Sequence, residues 1–237
     1  EVQIEGIPTS DSNGLYGGND DDDNSGIIKY ISIRHGGANI GAGNEINGLT
    51  LGGVGRGTVI ENVEIVANQD DGIEWFGGTV NVKNAVVWGA GDDAIDTDQS
   101  WAGTLDNFVV ITPGNHNFEL DGPEGSYKAG HVIKNGTVIA SKDGIVSSDL
   151  INVDANSIVS LENIYFTSIA DGQKINRVTA PEVFFVNIEL DVQAGDLASY
   201  VNGAVPAGVT AAPGAPTKSG ADLSQFGWTW AKVGSQF

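Results

Sequence analysis

Six segments of this chain place an asparagine at the same point ahead of an apolar pair. They are Asn62-Val63-Glu64-Ile65, Asn84-Ala85-Val86-Val87, Asn107-Phe108-Val109-Val110, Asn135-Gly136-Thr137-Val138, Asn163-Ile164-Tyr165-Phe166 and Asn187-Ile188-Glu189-Leu190. The steps between the asparagines are 22, 23, 28, 28 and 24 residues. A period in the twenties, with a turn-forming residue locked to a strand, marks a solenoid whose repeats stack on one another. Such a period constrains the chain more than strand propensity does, because it states which side chains lie above which.

A second ladder runs beside the first: Asn47-Gly48-Leu49-Thr50-Leu51, Asp71-Gly72-Ile73-Glu74-Trp75, Asp93-Ala94-Ile95-Asp96-Thr97, His116-Asn117-Phe118-Glu119-Leu120 and Asp143-Gly144-Ile145-Val146-Ser147. Its offset from the first ladder is nearly constant, so each repeat has two strands joined by a fixed corner. Thr58-Val59-Ile60, Thr79-Val80-Asn81-Val82, His131-Val132-Ile133 and Ser157-Ile158-Val159 supply a third strand. Three short strands per coil describe an all-β, right-handed, single-stranded parallel β-helix. Asparagine and glycine suit the left-handed corners between strands, and stacked asparagines can hydrogen-bond along the axis. The coils run from about Ser25 to Asp191, giving roughly seven coils and a rod about 30 Å long at the usual strand spacing. A helical reading fails, because glycine and asparagine interrupt every candidate run.

Alternation assigns the faces. Ile73, Ile95, Phe118 and Ile145 are expected to point inward together, as are Val63, Ile65, Phe108, Val110, Ile164 and Phe166. Glu74, Asp96 and Glu119 then face outward. The flanks are read as an N-terminal strand and acidic loop (1–24), the β-helix proper (25–201), an Ala/Gly/Pro-rich connector (202–220) and an apolar tail (221–237). That tail, with Trp228 and Trp230, is expected to cap the helix end or strap along its side. Glu1 opens directly on strand-like Val2–Ile7, which reads as the start of a processed or trimmed product that continues an upstream part of the helix.

Composition narrows the partners. The 237 residues carry a formal charge of −20 with only 11 Lys and Arg. Nucleic acid is excluded as a partner by the lack of clustered cations. No run of 18 apolar residues is present, so a membrane-spanning helix is not expected. With no cysteine, the redox compartment is not readable. Asn19–Gly26 lacks the glycine and terminal glutamate of an EF-hand loop and reads as a solvated acidic loop. Gly52–Gly57 reads as a turn between coils, not a phosphate cradle.

Charge concentrates at one corner. Residues 58–121 hold twelve carboxylates against one cation, Lys83. Equivalent positions on adjacent coils become neighbours, which predicts three columns: Glu74 over Asp96 over Glu119, Asp98 over Asp121, and Asp71 over Asp93 over His116. Like charges about 5 Å apart, one strand spacing, need compensation by raised pKa values or by a cation. Calcium suits this best, because it takes several carboxylate and carbonyl oxygens in loose geometry. Glu74, Asp96, Asp98, Glu119 and Asp121 are the candidate ligands. The alternative chemistry is glycoside hydrolysis by paired carboxylates, with Asp71, Asp93 and His116 as the candidate catalytic set. That arrangement resembles polygalacturonases, which carry Asp, Asp-Asp and His on adjacent coils; their Gly-His-Gly and Arg-Ile-Lys signatures are missing here. A polyuronide lyase is disfavoured, because the corner lacks the Arg or Lys that acidic sugars require.

The runs Asn47–Gly55, Asn68–Val80 and Asp92–Asp98, with the closing Phe226-Gly227-Trp228-Thr229-Trp230, resemble a family of bacterial secreted or surface β-helix proteins of pectate-lyase-like fold, found in Bacteroidetes and marine Gram-negative bacteria. The similarity runs from about Leu15 to Trp230. It implies the fold and a location outside the cell or on the outer membrane, and it implies no particular reaction. Three functions follow as expectations: binding a glycan or surface-matrix component with calcium at the acidic corner, hydrolysis of a polysaccharide by stacked carboxylates, or a structural rod that self-associates end to end through open coil edges.

Overall fold

The computed structural model describes residues 2–4, 7–8, 10–39 and 46–237. The described chain is a parallel β-solenoid of about seven turns. One sheet contains the short strands Leu49–Gly52, Ile73–Phe76, Ile95–Asp98, Phe118–Leu120 and Asn152–Val153, each parallel to the next. The other is built from longer strands: Ile27–Arg34, Val59–Val66, Asn81–Trp88, Thr104–Ile111, His131–Ile139 and Ile158–Thr167, then Glu182–Val186, Ile188–Leu190 and Val209–Ala211. The parallel ladder thus extends through Val209–Ala211, within the stretch read from sequence as a connector.

Each long strand is two strands in one. Asn62, Asn84, Asn107, Asn135, Asn163 and Asn187 all have φ between 52 and 62°. Strict alternation would send Ile60 and Val63 to opposite faces. The left-handed residue between them turns the chain, so both are buried in the same core. Asparagine tolerates this conformation better than other side chains do, and its amide adds a lateral bond. Asn84 Nδ2 donates to Asn62 Oδ1 (3.0 Å), Asn107 to Asn84 (2.7 Å), Asn163 to Asn135 (3.0 Å) and Asn187 to Asn163 (3.0 Å). The ladder breaks once, where Asn135 donates to Asp106 instead (2.7 Å). In the first coil Tyr30 takes the asparagine's place, at φ 55°.

The interior is continuous and apolar. Phe118 meets Phe108 edge-on at 5.8 Å and Phe166 at 6.0 Å. Gly136 lies between Phe108 and Ile164 in register, and a Cβ there would collide with the Phe108 ring. Glycine at this point of the repeat therefore makes room for an aromatic one coil below. Val63, Ile65, Phe108, Val110, Ile164 and Phe166 all join this core, as the alternation requires.

Ile145 does not. It is 51 % exposed on a small antiparallel hairpin, Ser141–Lys142 with Ile145–Val146. The hairpin is an excursion from the coil that delays the ladder by six residues. Asp149 takes the position expected of Asp143, and bridges pair His116 with Asp149 and Ile151 with Ile175. The inward column is therefore Ile73, Ile95, Phe118, Ile151, Ile175 and Val201, all buried.

Two accessory segments cover outer faces. Near the N-terminus, Val2–Gln3 pairs with Leu15–Tyr16, and Tyr16 packs on the outward Phe76 with ring centroids 6.0 Å apart. Glu1, Glu5 and Gly6, part of the N-terminal strand expected from sequence, lie outside the described residues. The C-terminal tail straps along the side of the long sheet. Phe226 and Ala231 bury the outward Val86, Val109 and Ile111, and Trp230 packs on Trp88 at 5.5 Å, with the Arg34 guanidinium 4.5 Å from its ring centroid. Among the described residues no helix is long and apolar enough to cross a membrane.

Candidate functional site

The acidic corner runs along the short strands: Asp71 and Asp93 lie where the chain enters them, Glu74, Asp96 and Glu119 within them, and Asp98 and Asp121 where it leaves. Register pairs Glu74 with Asp96 and Asp96 with Glu119, so the first expected column stands. Asp98 follows Thr97, and Asp121 follows Leu120, its register partner. The Asp121 N–H donates to the Thr97 carbonyl at 2.8 Å, which holds the second pair side by side. The third column is fixed by its own side chains: the Asp93 N–H donates to Asp71 Oδ1 (2.9 Å) and the His116 N–H to Asp93 Oδ1 (2.5 Å). Asp71 and Asp93 therefore each tie down the next coil by its backbone.

Burial divides the cluster. Asp71, Glu74, Asp93 and Asp96 are buried, whereas His116, Glu119, Asp98 and Asp121 are partly exposed. Glu74 faces outward from the sheet as expected, but Asn47 covers it and donates its Nδ2 to Glu74 Oε2. One oxygen from each of Asp71, Glu74 and Asp96 fits within a sphere of contacts no longer than 4.8 Å; Asp70, Asp71 and Asp92 form a second, more open trio of the same kind. The tight trio thus joins two expected ligands, Glu74 and Asp96, with Asp71 from the expected catalytic set. Asp98, Glu119 and Asp121 stand outside it.

Electrostatics follow from crowding in a dry place. Burial, reinforced by the charges of Asp70 and Asp92, raises the Asp71 pKa to about 7, although its bonds from the Asp93 backbone and the Asp96 carboxyl pull the other way. Burial and the adjoining Glu119 carboxyl raise Asp93 to about 10. Asp96 is pushed well above the usual carboxylate range, first by burial and then by Asp71, Glu74, Asp98 and Glu119. Protons retained on Asp93 and Asp96 relieve the corner's repulsion. The donor set is all oxygen and partly anionic, which fits a hard divalent ion and not a soft one.

Two residues of this site escaped the sequence reading. Asp149 Oδ2 lies 3.4 Å from His116 Nδ1, and Asn152 Nδ2 lies 3.3 Å from both His116 Nε2 and Glu119 Oε1. The signal was there: Asp149-Leu150-Ile151-Asn152-Val153 repeats the pattern of Asp71-Gly72-Ile73-Glu74-Trp75. It competed with the Asp143 segment, which sits closer to the average period.

No curated protein and no solved structure matches this sequence. A family model does, over residues 6–228, nearly the whole chain. Its description agrees with the stacked parallel coils, and the chain belongs to the pectate-lyase-like β-helix domain family.

Proposed function

We propose that this chain is an exported carbohydrate-binding protein, acting outside the cell or on the outer-membrane surface of a Gram-negative bacterium, with calcium held at the acidic corner. The observation that carries the reading is the trio Asp71, Glu74 and Asp96, whose oxygens converge within 4.8 Å. Their charge is met by retained protons and neutral donors such as Asn47. A divalent cation would replace those protons and satisfy several oxygens at once. The family's pectate-lyase-like fold supports a glycan or surface-matrix component as the partner, and a rigid solenoid offers an extended face to a polymer. Calcium should raise the melting temperature and a chelator should lower it. A melting curve indifferent to both, at neutral and alkaline pH, would remove the metal from this reading. Retention of the protein on a panel of immobilised polysaccharides tests the partner.

A second reading, glycoside hydrolysis by Asp71, Asp93 and His116, is supported by the proton that Asp93 keeps at neutral pH, since a carboxylic acid is what leaving-group protonation needs. Reducing-sugar release across the same panel tests it. Any activity that survives Asp93→Asn unchanged does not come from this set.

A further inference from the structure

A cleft of about 710 Å³ opens at the opposite end of the short strands from Asp71 and Asp93, where the chain turns out of the short sheet. Its floor is backbone. Gly53 and Gly77 stack there with φ of 60 and 64°, Gly78 follows at 78°, and a Cβ at Gly78 would come within 2.6 Å of Val54 backbone atoms. In the next coil the equivalent residues are Gln99 and Ser100, and both keep the left-handed conformation, at φ 51 and 60°. That conformation costs a non-glycine residue about 1 kcal/mol or more. At Gln99 it places a side-chain amide in the lining, where its Oε1 accepts the Tyr16 hydroxyl.

The walls have a consistent chemistry. Tyr127 stands at the cleft 62 % exposed, held by its backbone carbonyl, which accepts the Ser100 hydroxyl at 3.1 Å. Its ring stacks on no other aromatic ring among the described residues. The acidic loop lines the same cleft, fixed through its carbonyls: Thr79 Oγ1 and the Arg56 N–H donate to Asp21 O at 2.6 and 2.9 Å, and the Gly57 N–H to Asp23 O at 3.1 Å. Asp20, Asp21 and Asp23 lie in the lining, and among the described residues no Lys, Arg or His does. Arg56 sits behind them and pairs with Asp21 and Asp22 at 3.2 and 3.1 Å.

We infer that this cleft is a binding site for an uncharged saccharide of about disaccharide size. An exposed tyrosine offers a flat face to a sugar ring. Carboxylate, amide and carbonyl oxygens take hydroxyl donors, which sugars supply in number. The glycine floor lets the ligand approach the backbone closely. The volume falls within the range of about 300–1,000 Å³ common to small-molecule sites. Three lining aspartates, on a chain of charge −20, disfavour uronate, sulfated or phosphorylated sugars. The inference rests on the carbohydrate-binding reading above and adds to it a location and a substrate class.

Affinity electrophoresis through gels holding uncharged polymers (β-glucan, mannan, xylan) and uronate polymers (polygalacturonate, alginate), with and without chelator, tests both. The expected result is retardation by at least one uncharged polymer, at least ten-fold weaker for Tyr127→Ala and restored in Tyr127→Phe, with melting curves unchanged because the ring is exposed. Retardation by an uncharged polymer that survives Tyr127→Ala overturns the cleft and leaves the carbohydrate reading standing. Retardation by uronate polymers alone overturns the substrate class in the same way. A chain retarded by none of them overturns both.

Discussion

Glu64 and Glu189 occupy the same outward column of the long sheet, joined in register through Val86, Val109, Thr137 and Tyr165. Both are buried, and both hold the C-terminal segment by its backbone. Glu189 Oε2 accepts the N–H groups of Thr217, Lys218 and Ser219 at 2.9, 3.0 and 3.1 Å. Glu64 Oε1 accepts the Ala231 N–H at 2.8 Å, while its other oxygen takes the Ser32 hydroxyl at 2.5 Å and faces Arg34 at 3.6 Å. Between these anchors the tail crosses the coils, its Asp222 N–H donating to Asn107 Oδ1 at 2.7 Å. A repeat protein whose coils touch only their neighbours thereby gains a tie between distant coils.

Glu189→Ala should therefore loosen the strap from its C-terminal-coil end. Removing a buried carboxylate leaves several N–H groups without a partner, at a cost of about 3 kcal/mol. Limited proteolysis should cut first near residues 217–219 in the variant, and the melting temperature should drop. The pH dependence has a definite sign. Despite burial, bonds from Thr217, Ser219 and Lys218 lower the Glu189 pKa to about 2. Its contribution is present above the ordinary carboxylate range and is lost as pH falls through about 2. Wild type and variant should converge in strong acid. A tail equally resistant to protease in both proteins at neutral pH would show that Glu189 is not an anchor.

The asparagine ladder predicts a graded pair of substitutions. Asn84 is buried, gives one amide bond to Asn62, takes one from Asn107 and sits at φ 57°. Asn84→Ala loses both bonds and keeps the backbone strain, for about 2–3 kcal/mol. Asn84→Gly loses the bonds but relieves the strain, and should cost about 1 kcal/mol less. Chemical denaturation measures both. Equal losses would mean that the left-handed corner carries no strain in this stack.

Ile145 and Ile151 show how far the sequence could be read. The period, the three strands per coil, the inward positions other than Ile145 and the columns at Asp71, Glu74 and Asp98 were legible, because parallel in-register stacking turns spacing directly into contact. The excursion at Ser141–Val146 was not. Asp143-Gly144-Ile145 carries the same residue types as a true corner, and nothing local separates it from Asp149-Leu150-Ile151. Only the stacking of Ile151 between Phe118 and Ile175 decides between them. Burial at the acidic corner was equally hidden: alternation puts Glu74 on the outer face, and nothing in the repeat signals the approach of Asn47. The register can be checked by mutation. Ile145→Ala should change stability by about 0.5 kcal/mol or less, whereas Ile151→Ala should cost about 3 kcal/mol.

The acidic corner should make stability fall with rising pH when no divalent cation is present. Asp71 and Asp93 have folded pKa values of about 7 and about 10, above those of the unfolded chain. The folded state then holds protons that the unfolded state has released. The corner's contribution is greatest below the ordinary carboxylate range and declines as pH rises through those values. Calcium at about a hundredfold excess over its Kd should return about 2.7 kcal/mol, an increase in melting temperature of about 5–10 °C for a chain of this size. At one fixed calcium concentration the rise should be larger at pH 9 than at pH 6, because binding displaces protons. Asp96→Asn should abolish the response to calcium. A calcium response of the same size at both pH values would contradict the proton–metal exchange.

His131 sets the opposing slope. Its ring lies against Trp101 with centroids 4.8 Å apart, and Trp101 stacks in turn on Trp75 at 4.5 Å, all three buried. Burial outweighs a bond to the Trp101 backbone and lowers the His131 pKa to about 3, while Nε2 has no hydrogen-bond partner among the described residues. The folded state keeps the ring neutral where the unfolded state would protonate it. Stability is therefore lost as pH falls from about 6.5, the unperturbed histidine value, toward about 3. His131→Phe keeps the ring stack and removes the titrating group. It should flatten the acid limb of the stability profile over that window and move the acid-unfolding midpoint to lower pH, with little change at pH 7 beyond a repacking cost of about 1 kcal/mol. If the acid limb is the same in the variant, the loss of stability comes from the carboxylate anchors such as Glu189, and His131 contributes packing alone.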